Sequence, residues 1–194
     1  MERATFSNMD CPIARAAEEV GEGWTLLVLR EAFKGALTFS DFESRLPIAP
    51  NTLTRRLDVL CSRGLLERAT YQTNPPRDQY VLTEKALDLL PVLIALGEWG
   101  NRWLAPEGEL LTVIDAQSGR AMDVAVVDRR TSRPLRAGSV AIKAGPGARR
   151  PVREALKTAM VLGAGTQPAG KTRQTRSNDH GQVGRKSGSH HRRH

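Results

Sequence analysis

The sequence predicts a mainly α fold with one small β-hairpin, an α+β arrangement, and three observations support this prediction. Two short amphipathic helix patterns flank a proline-containing break at 46–49. Two runs rich in β-favouring residues follow, joined by a polar segment at 74–77, and a long apolar helix pattern then reaches about Leu104. The order helix, turn, helix, hairpin is that of a winged helix-turn-helix, a fold that places one helix in the major groove of DNA.

Length and composition allow one packed domain and an appendage, and the charge is unevenly distributed. The chain has 194 residues, is 40% hydrophobic and carries a net charge of +8 with a pI of about 10.2. Residues 164–194 hold seven Lys or Arg against one acidic residue, so +6 of the net charge lies there. A basic chain favours a polyanionic partner, but binding to DNA must here be argued from individual residues of the body.

The two cysteines, Cys11 and Cys61, are too few for a disulfide framework, and no Cys/His cluster predicts a metal site. The N-terminus lacks an apolar leader, and no apolar run reaches the ~20 residues of a membrane span. The sequence contains no GxSxG motif of a nucleophilic serine, no phosphate-binding glycine loop and no HExxH motif of a metalloprotease. No histidine precedes residue 180, so the folded body has none for acid–base catalysis. We therefore expect a soluble, cytoplasmic protein that is not an enzyme and has no cofactor and no membrane partner.

The first two helices are predicted from helical spacing. Pro12 suits a first helical position, and apolar residues then recur as far as Val20. The second helix, Trp24 to Lys34, is apolar on most sides and is expected to be the central buried one. Gly35 ends it, because glycine adopts the left-handed cap conformation most easily.

The third and fourth helices form the helix-turn-helix. Thr38 and Asp41 have the spacing of a capping box at the start of the third helix, and Pro50 begins the fourth. The buried stripe of the fourth helix consists of leucines at i, i+4 and i+7: Leu53, Leu57 and Leu60. Its opposite face, at about 100° per residue, consists of Asn51, Arg55, Asp58 and Ser62.

The wing and a long fifth helix follow. The strands are predicted at Leu65 to Gln72 and Gln79 to Leu82, with Thr83 capping a helix that bends at Pro91 and ends near Leu104. This helix has more apolar residues than its own small domain can cover, and such a surplus usually indicates a subunit interface. The expected dimerisation residues are Leu89, Val92, Leu93, Leu96, Trp99 and Trp103.

The chain after residue 105 predicts a small β-rich appendage. Strand patterns occur at Leu110 to Ile114 and Met122 to Val127, and a turn motif starting at Asp115 recurs 13 residues later at Asp128. A last helix is expected at 151–162. The predicted organisation is a flexible segment at 1–10, a winged domain at 11–105, the appendage at 106–163 and a disordered basic tail at 164–194.

The fourth helix and the wing are the candidate DNA-binding surface. Arginine can bind guanine bidentately, asparagine can bind adenine, and threonine can contact phosphate or a thymine methyl. The alternative is that the arginines of the fourth helix belong to an ordinary solvated face, which Asp58 and Glu67 nearby would favour. The candidate contact residues are Asn51, Thr52, Thr54, Arg55, Arg56 and, at the wing tip, Arg77.

A series of motifs resembles HxlR-type transcriptional regulators, in order and with matching gaps over roughly residues 10–103. The resemblance implies a dimeric winged helix-turn-helix of the MarR-like group that binds a palindromic operator and often responds to oxidants, aldehydes or other small molecules. It assigns the recognition helix to 50–63. The motifs are CPIARA from Cys11, GWTLLVLRE from Gly23, TFSDF from Thr38, IAPNTLTRRL from Ile48, GLLER from Gly64, PPR from Pro75, YVLTEK from Tyr80, LPVL from Leu90, and Trp99-Gly100.

Three details of the resemblance concern function. Cys11 coincides with the cysteine that senses oxidants or electrophiles in some relatives, and the start of a helix favours a thiolate; the alternative is a small structural residue. Ala49 stands where relatives often have a Ser or Thr cap, at a cost of about 1 kcal/mol. The appendage has none of the cysteines of the zinc-ribbon-like extension seen in some relatives.

The leading prediction is a homodimeric, sequence-specific DNA-binding regulator, more often a repressor than an activator, and released from DNA by an oxidant, electrophile or small molecule. The alternative is a dimeric module that uses the winged domain as a scaffold and binds a small molecule or a protein between the fifth helix and the core. The basic tail would add non-specific affinity for DNA.

Overall fold

The computed structural model describes residues 5–163 and confirms a mainly α fold with small antiparallel sheets. The tail predicted to be disordered, 164–194, lies outside the described residues. The winged part consists of α1 (Pro12–Val20), α2 (Gly23–Phe33), α3 (Phe39–Arg45), α4 (Pro50–Ser62), β1 (Leu66–Thr73), β2 (Pro76–Leu82), α5 (Glu84–Leu87) and α6 (Leu90–Leu104). The appendage adds β3 (Ala141–Ile142), α7 (Arg150–Ala155) and β4 (Met160–Val161).

The core lies between α2, α3, α4 and the base of the hairpin. The predicted stripe of α4 is fully buried, and α2 buries Val28 and Leu29 against it, as expected for the central helix. Each buried leucine or valine contributes roughly 1.5–3 kcal/mol by leaving water. The other buried apolar residues are Ala32, Ala36, Phe42, Leu46, Ile48, Leu65, Leu66, Tyr80 and Ala86.

Local hydrogen bonds fix the ends of the helices around α4. The predicted capping box is present, because the Asp41 N–H donates to the Thr38 hydroxyl at 3.2 Å and the Asp41 carboxylate accepts from the Thr38 N–H at 2.8 Å. The backbone N–H groups of Thr38 and Leu37 lower the pKa of Asp41. The Thr83 hydroxyl accepts from the Ala86 N–H at 3.3 Å and donates to the Gly64 carbonyl at 2.7 Å. These bonds set where α3 and α5 begin.

The wing hairpin is longer than predicted. Its strands pair from Leu66 opposite Leu82 to Thr73 opposite Pro76, so the turn contains only Asn74 and Pro75. The predicted four-residue tip at 74–77 is therefore wrong. Pro76 and Arg77 belong to β2 instead, because a proline is tolerated as the first residue of a strand. The Tyr80 N–H donates to the Leu37 carbonyl at 2.7 Å, which ties the hairpin to the loop before α3.

The predicted long fifth helix is in fact two helices. Pro91 has no N–H to donate to the carbonyl four residues earlier, and its ring would clash with that carbonyl. The chain therefore ends α5 at Leu87 and begins α6 at Leu90, which places Pro91 in the first turn of α6, where proline is well tolerated.

The two strands predicted for the appendage are absent from the described residues 106–130. Only single bridges form there, between Ile114 and Ala121 and between Val127 and Pro134. The 13-residue repeat is nevertheless a structural repeat. The Asp115 N–H donates to the Arg120 carbonyl at 2.8 Å, and the Asp128 N–H donates to the Arg133 carbonyl at 2.9 Å. Each turn reverses the chain after a single bridge, so no longer strand pairing forms at these two turns. The last helix, α7, ends at Ala155, whereas the prediction extends it to residue 162.

Residues 5–10, expected to be flexible, make specific contacts. The Asp10 carboxylate accepts from the backbone N–H of Arg149 at 2.7 Å and pairs with its guanidinium at 2.8 Å; we call this contact the Asp10–Arg149 latch. The Arg15 side chain also pairs with Asp10, at 3.4 Å. The latch joins the N-terminal segment to the appendage. Within residues 5–163, no helix is long and apolar enough to cross a membrane.

Candidate nucleic-acid interface

The outward face of α4 presents polar and basic side chains to solvent. Asn51, Thr54 and Arg55 are exposed, whereas the leucines of the opposite face are buried. No described residue forms an ion pair with Arg55, and the first turn of α4 contains no acidic residue. The helix N-terminus carries a partial positive charge and favours an anion. This surface therefore suits contact with a polyanion.

The two candidate threonines, Thr52 and Thr54, differ in their exposure and therefore in the contacts that they can make with DNA. The Thr54 hydroxyl donates to the Pro50 carbonyl at 3.0 Å, which leaves its oxygen lone pairs and its methyl group for contacts outside the helix. Thr52 is half-buried on the flank. Ala49 is the N-cap without a side-chain cap, and Pro50 occupies the first turn, as the sequence indicates.

Arg56 lies with Thr52 on the flank of α4 and is turned toward the protein itself. Its guanidinium forms an ion pair with Glu22, the residue before α2, and both side chains are mostly buried. The structure therefore turns Arg56 away from the exposed face of α4 that contains Asn51, because Arg56 is bound to the protein's own α2 end. The 3.6-residue period places it on the flank of α4, but only the tertiary packing brings Glu22 to it.

The structure also contains an ion pair that no pattern in the sequence predicts. Asp58 lies on the outward face of α4, and its carboxylate is bound by the Arg68 guanidinium of β1 at 2.7 Å. Arg68 lies opposite Tyr80 in the hairpin, with the guanidinium carbon 5.4 Å from the ring centroid. No local sequence signal links Asp58 to Arg68, because ten residues and the end of a helix separate them.

Arg77 lies in β2 rather than in the turn, opposite Gln72. Its side chain is exposed, and it forms no ion pair with any residue of the described part of the chain. It can contact a phosphate or a minor groove beside the surface of α4.

The expected dimerisation residues divide into two groups. Leu89 and Leu93 pack against the protein's own core. Their apolar side chains therefore face inward and not toward a second subunit. The others form an exposed stripe on α6 at i, i+4, i+7 and i+11, namely Val92, Leu96, Trp99 and Trp103. Ile13 of α1 is 79% exposed and adds a further apolar side chain at the surface.

The two cysteines lie in different surroundings. Cys11 is half-buried at the N-cap of α1, next to the Asp10–Arg149 latch. Cys61 packs at the edge of the core, and burial raises the pKa of its thiol. Among residues 5–163 no group of three or more His, Cys, Asp or Glu side chains could hold a metal ion.

The fold and this polar surface are those of a winged helix-turn-helix DNA-binding protein, and comparison with known proteins identifies the family. A model of the HxlR-like helix-turn-helix matches residues 19–108. The HTH-type transcriptional regulator MT3179 of Mycobacterium tuberculosis is 37% identical over 136 residues, which cover 70% of this chain and 86% of the relative. The chain therefore belongs to the HxlR-like helix-turn-helix family of transcriptional regulators.

Two solved structures resemble the chain beyond the winged part. PA1374 from Pseudomonas aeruginosa is 41% identical with a TM-score of 0.55, and the match covers 75% of this chain and 100% of that one. PA1607 is 28% identical with a TM-score of 0.67, over 73% and 100% of the two chains. The 136 residues aligned with MT3179 cannot fit within the first 108, so that similarity extends into the appendage.

Proposed function

We propose that the protein is a homodimeric repressor that binds a palindromic operator. In this proposal α4 enters the major groove, with Asn51, Thr54 and Arg55 contacting bases and phosphates. Arg77 contacts the backbone from the wing. The observation that carries the proposal is the two-sided character of α4, with a fully buried leucine face and an outward face free of unpaired acidic charge.

Dimerisation makes this surface useful for a palindrome. Two recognition helices must lie about 34–36 Å apart to enter successive major grooves. The side chains of Val92, Leu96, Trp99 and Trp103 form an exposed apolar stripe on α6, which suits the core of a homodimer interface. Leu89 and Leu93 pack directly against the core, which disfavours the alternative of a ligand bound between the start of α6 and the core.

DNA binding is tested by fluorescence anisotropy with duplexes from the region upstream of the protein's own gene and with scrambled duplexes, at graded salt. We expect a preference for one upstream duplex at physiological salt. Arg55→Ala should weaken binding by about 1–3 kcal/mol, whereas Arg130→Ala in the appendage, which removes the same charge, should have little effect. Equal affinity for upstream and scrambled DNA would contradict the proposal.

We further propose that Cys11 is the site at which an oxidant or electrophile releases the DNA. Cys11→Ser should keep operator binding and lose release by peroxide, quinone or aldehyde. Cys61→Ala is the matched control and should release normally, because burial raises the pKa of the Cys61 thiol and so disfavours the reactive thiolate. Unchanged release in Cys11→Ser would show that the effector acts elsewhere.

A further inference from the structure

The outward face of α4 contains one carboxylate that opposes binding to a polyanion. Asp58 follows Asn51 and Arg55 at i+7 and i+3, and the three side chains line the same shallow groove. Its side chain is 55% exposed, so it would face the phosphates or base edges that α4 approaches. An unpaired negative charge at this position would repel DNA.

Arg68 of β1 neutralises this carboxylate from outside the helix. Its Nη2 atom lies 2.7 Å from Asp58 Oδ1, and its Nε atom lies 4.0 Å from Asp78. Asp78 in turn accepts a hydrogen bond from the Thr70 hydroxyl at 2.7 Å, which occupies one of its oxygens. The guanidinium is therefore closest to Asp58.

Tyr80 holds Arg68 in this position. The Arg68 guanidinium lies over the Tyr80 ring and donates to the Tyr80 hydroxyl at 3.4 Å. Tyr80 is buried and packs edge-to-face on Phe42 of α3, with ring centroids 6.2 Å apart. Because Arg68 is anchored through Tyr80 to the core, it is a fixed partner for Asp58 rather than a freely moving surface cation.

The pair has little value for stability alone. Exposed ion pairs typically contribute no more than about 1 kcal/mol, and Asp58 and Arg68 are both about half exposed. Its placement on the groove-facing side of α4 instead indicates a role toward DNA. The pair joins the wing strand to the recognition helix, so that both meet the DNA in one fixed arrangement.

We propose that Arg68 is a positioning residue for DNA recognition, which cancels the charge of Asp58 and joins the wing to α4. This inference rests on the proposed function. It predicts that the affinity lost with Arg68 is regained when the Asp58 charge is also removed.

The test compares Arg68→Met, Asp58→Asn and the double variant of the full chain, using the duplex that the wild-type protein prefers and a scrambled duplex. We expect Arg68→Met to bind on the order of tenfold more weakly at low salt, and the double variant to recover most of that loss. The deficit of Arg68→Met should shrink as salt rises, because screening weakens the repulsion. Lys157→Met, which loses the same charge in the appendage, is the control.

The outcomes separate the two proposals. If the wild-type protein shows no preference for any duplex, the proposed function fails. If the wild type shows a preference but Arg68→Met binds as tightly, or the double variant stays as weak as Arg68→Met, the role assigned to Arg68 is wrong. The last result would mean that Arg68 contacts DNA directly. Thermal unfolding of each variant checks that the fold is retained.

Discussion

Fourteen apolar residues are buried in the winged part of the chain, whereas no described residue between 106 and 163 is buried. The winged part is held together by removal of apolar surface from water around α2 and α4. The appendage is held by turns, by single bridges, by the two-residue pairing of β3 with β4 and by a few long-range contacts. One hydrogen bond contributes only about 0.5–1.5 kcal/mol net to the stability of a fold. The winged part therefore depends on apolar burial, whereas the appendage depends on individually weak polar contacts.

Within residues 5–163, two anchors connect the appendage to the winged part and the N-terminal segment. Asn101 of α6 donates to the Leu111 carbonyl at 2.6 Å and accepts from the Leu110 N–H at 3.1 Å. The Asp10–Arg149 latch holds the start of α7. The winged part is therefore organised around its own core, whereas the appendage takes its place from contacts with α6 and the N-terminal segment.

The largest expected effect comes from matched leucine truncations in the two regions. Leu60→Ala removes a fully buried side chain from the core and should lower the free energy of unfolding by about 2–5 kcal/mol. Leu111→Ala removes a side chain that is 65% exposed and should change it by no more than about 0.5 kcal/mol. Chemical denaturation measures both, and similar losses would show that the appendage has a core of its own.

A substitution on α6 tests whether its exposed stripe belongs to a subunit interface. Trp103→Glu should weaken dimerisation roughly thirtyfold or more, because buried tryptophans commonly contribute 2 kcal/mol or more to an interface. Tyr71→Glu introduces the same charge on the wing and should leave the dimer intact. Sedimentation velocity at several concentrations distinguishes them, and an unchanged dimer in Trp103→Glu would place the interface elsewhere.

The Asp10–Arg149 latch predicts a pH dependence of the contact between the N-terminal segment and α7. The backbone N–H of Arg149 holds the pKa of Asp10 below its ordinary value. The latch therefore persists at and above that ordinary value and is lost as the pH falls through the lowered one. Asp10→Ala should speed amide exchange of the Arg149 N–H already at neutral pH, whereas Asp123→Ala should not. Slow exchange in Asp10→Ala would show that the latch does not order α7.

The smallest expected effects concern the two helix caps of the helix-turn-helix. Thr38→Ala breaks the capping box of α3 and should cost about 1 kcal/mol. Ala49→Ser supplies the side-chain cap that α4 lacks and should stabilise the protein by about 0.5–1 kcal/mol. Thermal denaturation of the two variants and of the wild type measures both shifts, and shifts of the same sign would contradict this assignment.

Local patterns predicted most of the winged part because their causes are local. The capping box at Thr38, the start of α1 at Pro12 and the leucine period of α4 depend on residues a few positions apart, and all three are present. Pro91 predicts a bend in the long fifth helix, whereas the structure has a break there, between α5 and α6. In the appendage, alternation predicted strands where turn geometry left only single bridges.

The candidate interface could be predicted only in part. Helical period correctly places Asn51 and Arg55 outward and Leu53 inward. The period cannot show that Leu89 and Leu93 pack inward on the core, since α6 is apolar on several sides and its rotation depends on the core that it meets. The DNA contacts themselves stay predictions.

The sequence by itself determined the helices α1 to α4, the capping box of α3, the buried face of α4 and the 13-residue repeat of the appendage, because each follows from neighbours along the chain. Only the tertiary structure decided which distant charges meet. Arg56 is paired with Glu22, Asp58 with Arg68 and Asp10 with Arg149. Such pairs depend on the angles at which packed elements cross, and no local pattern encodes those angles.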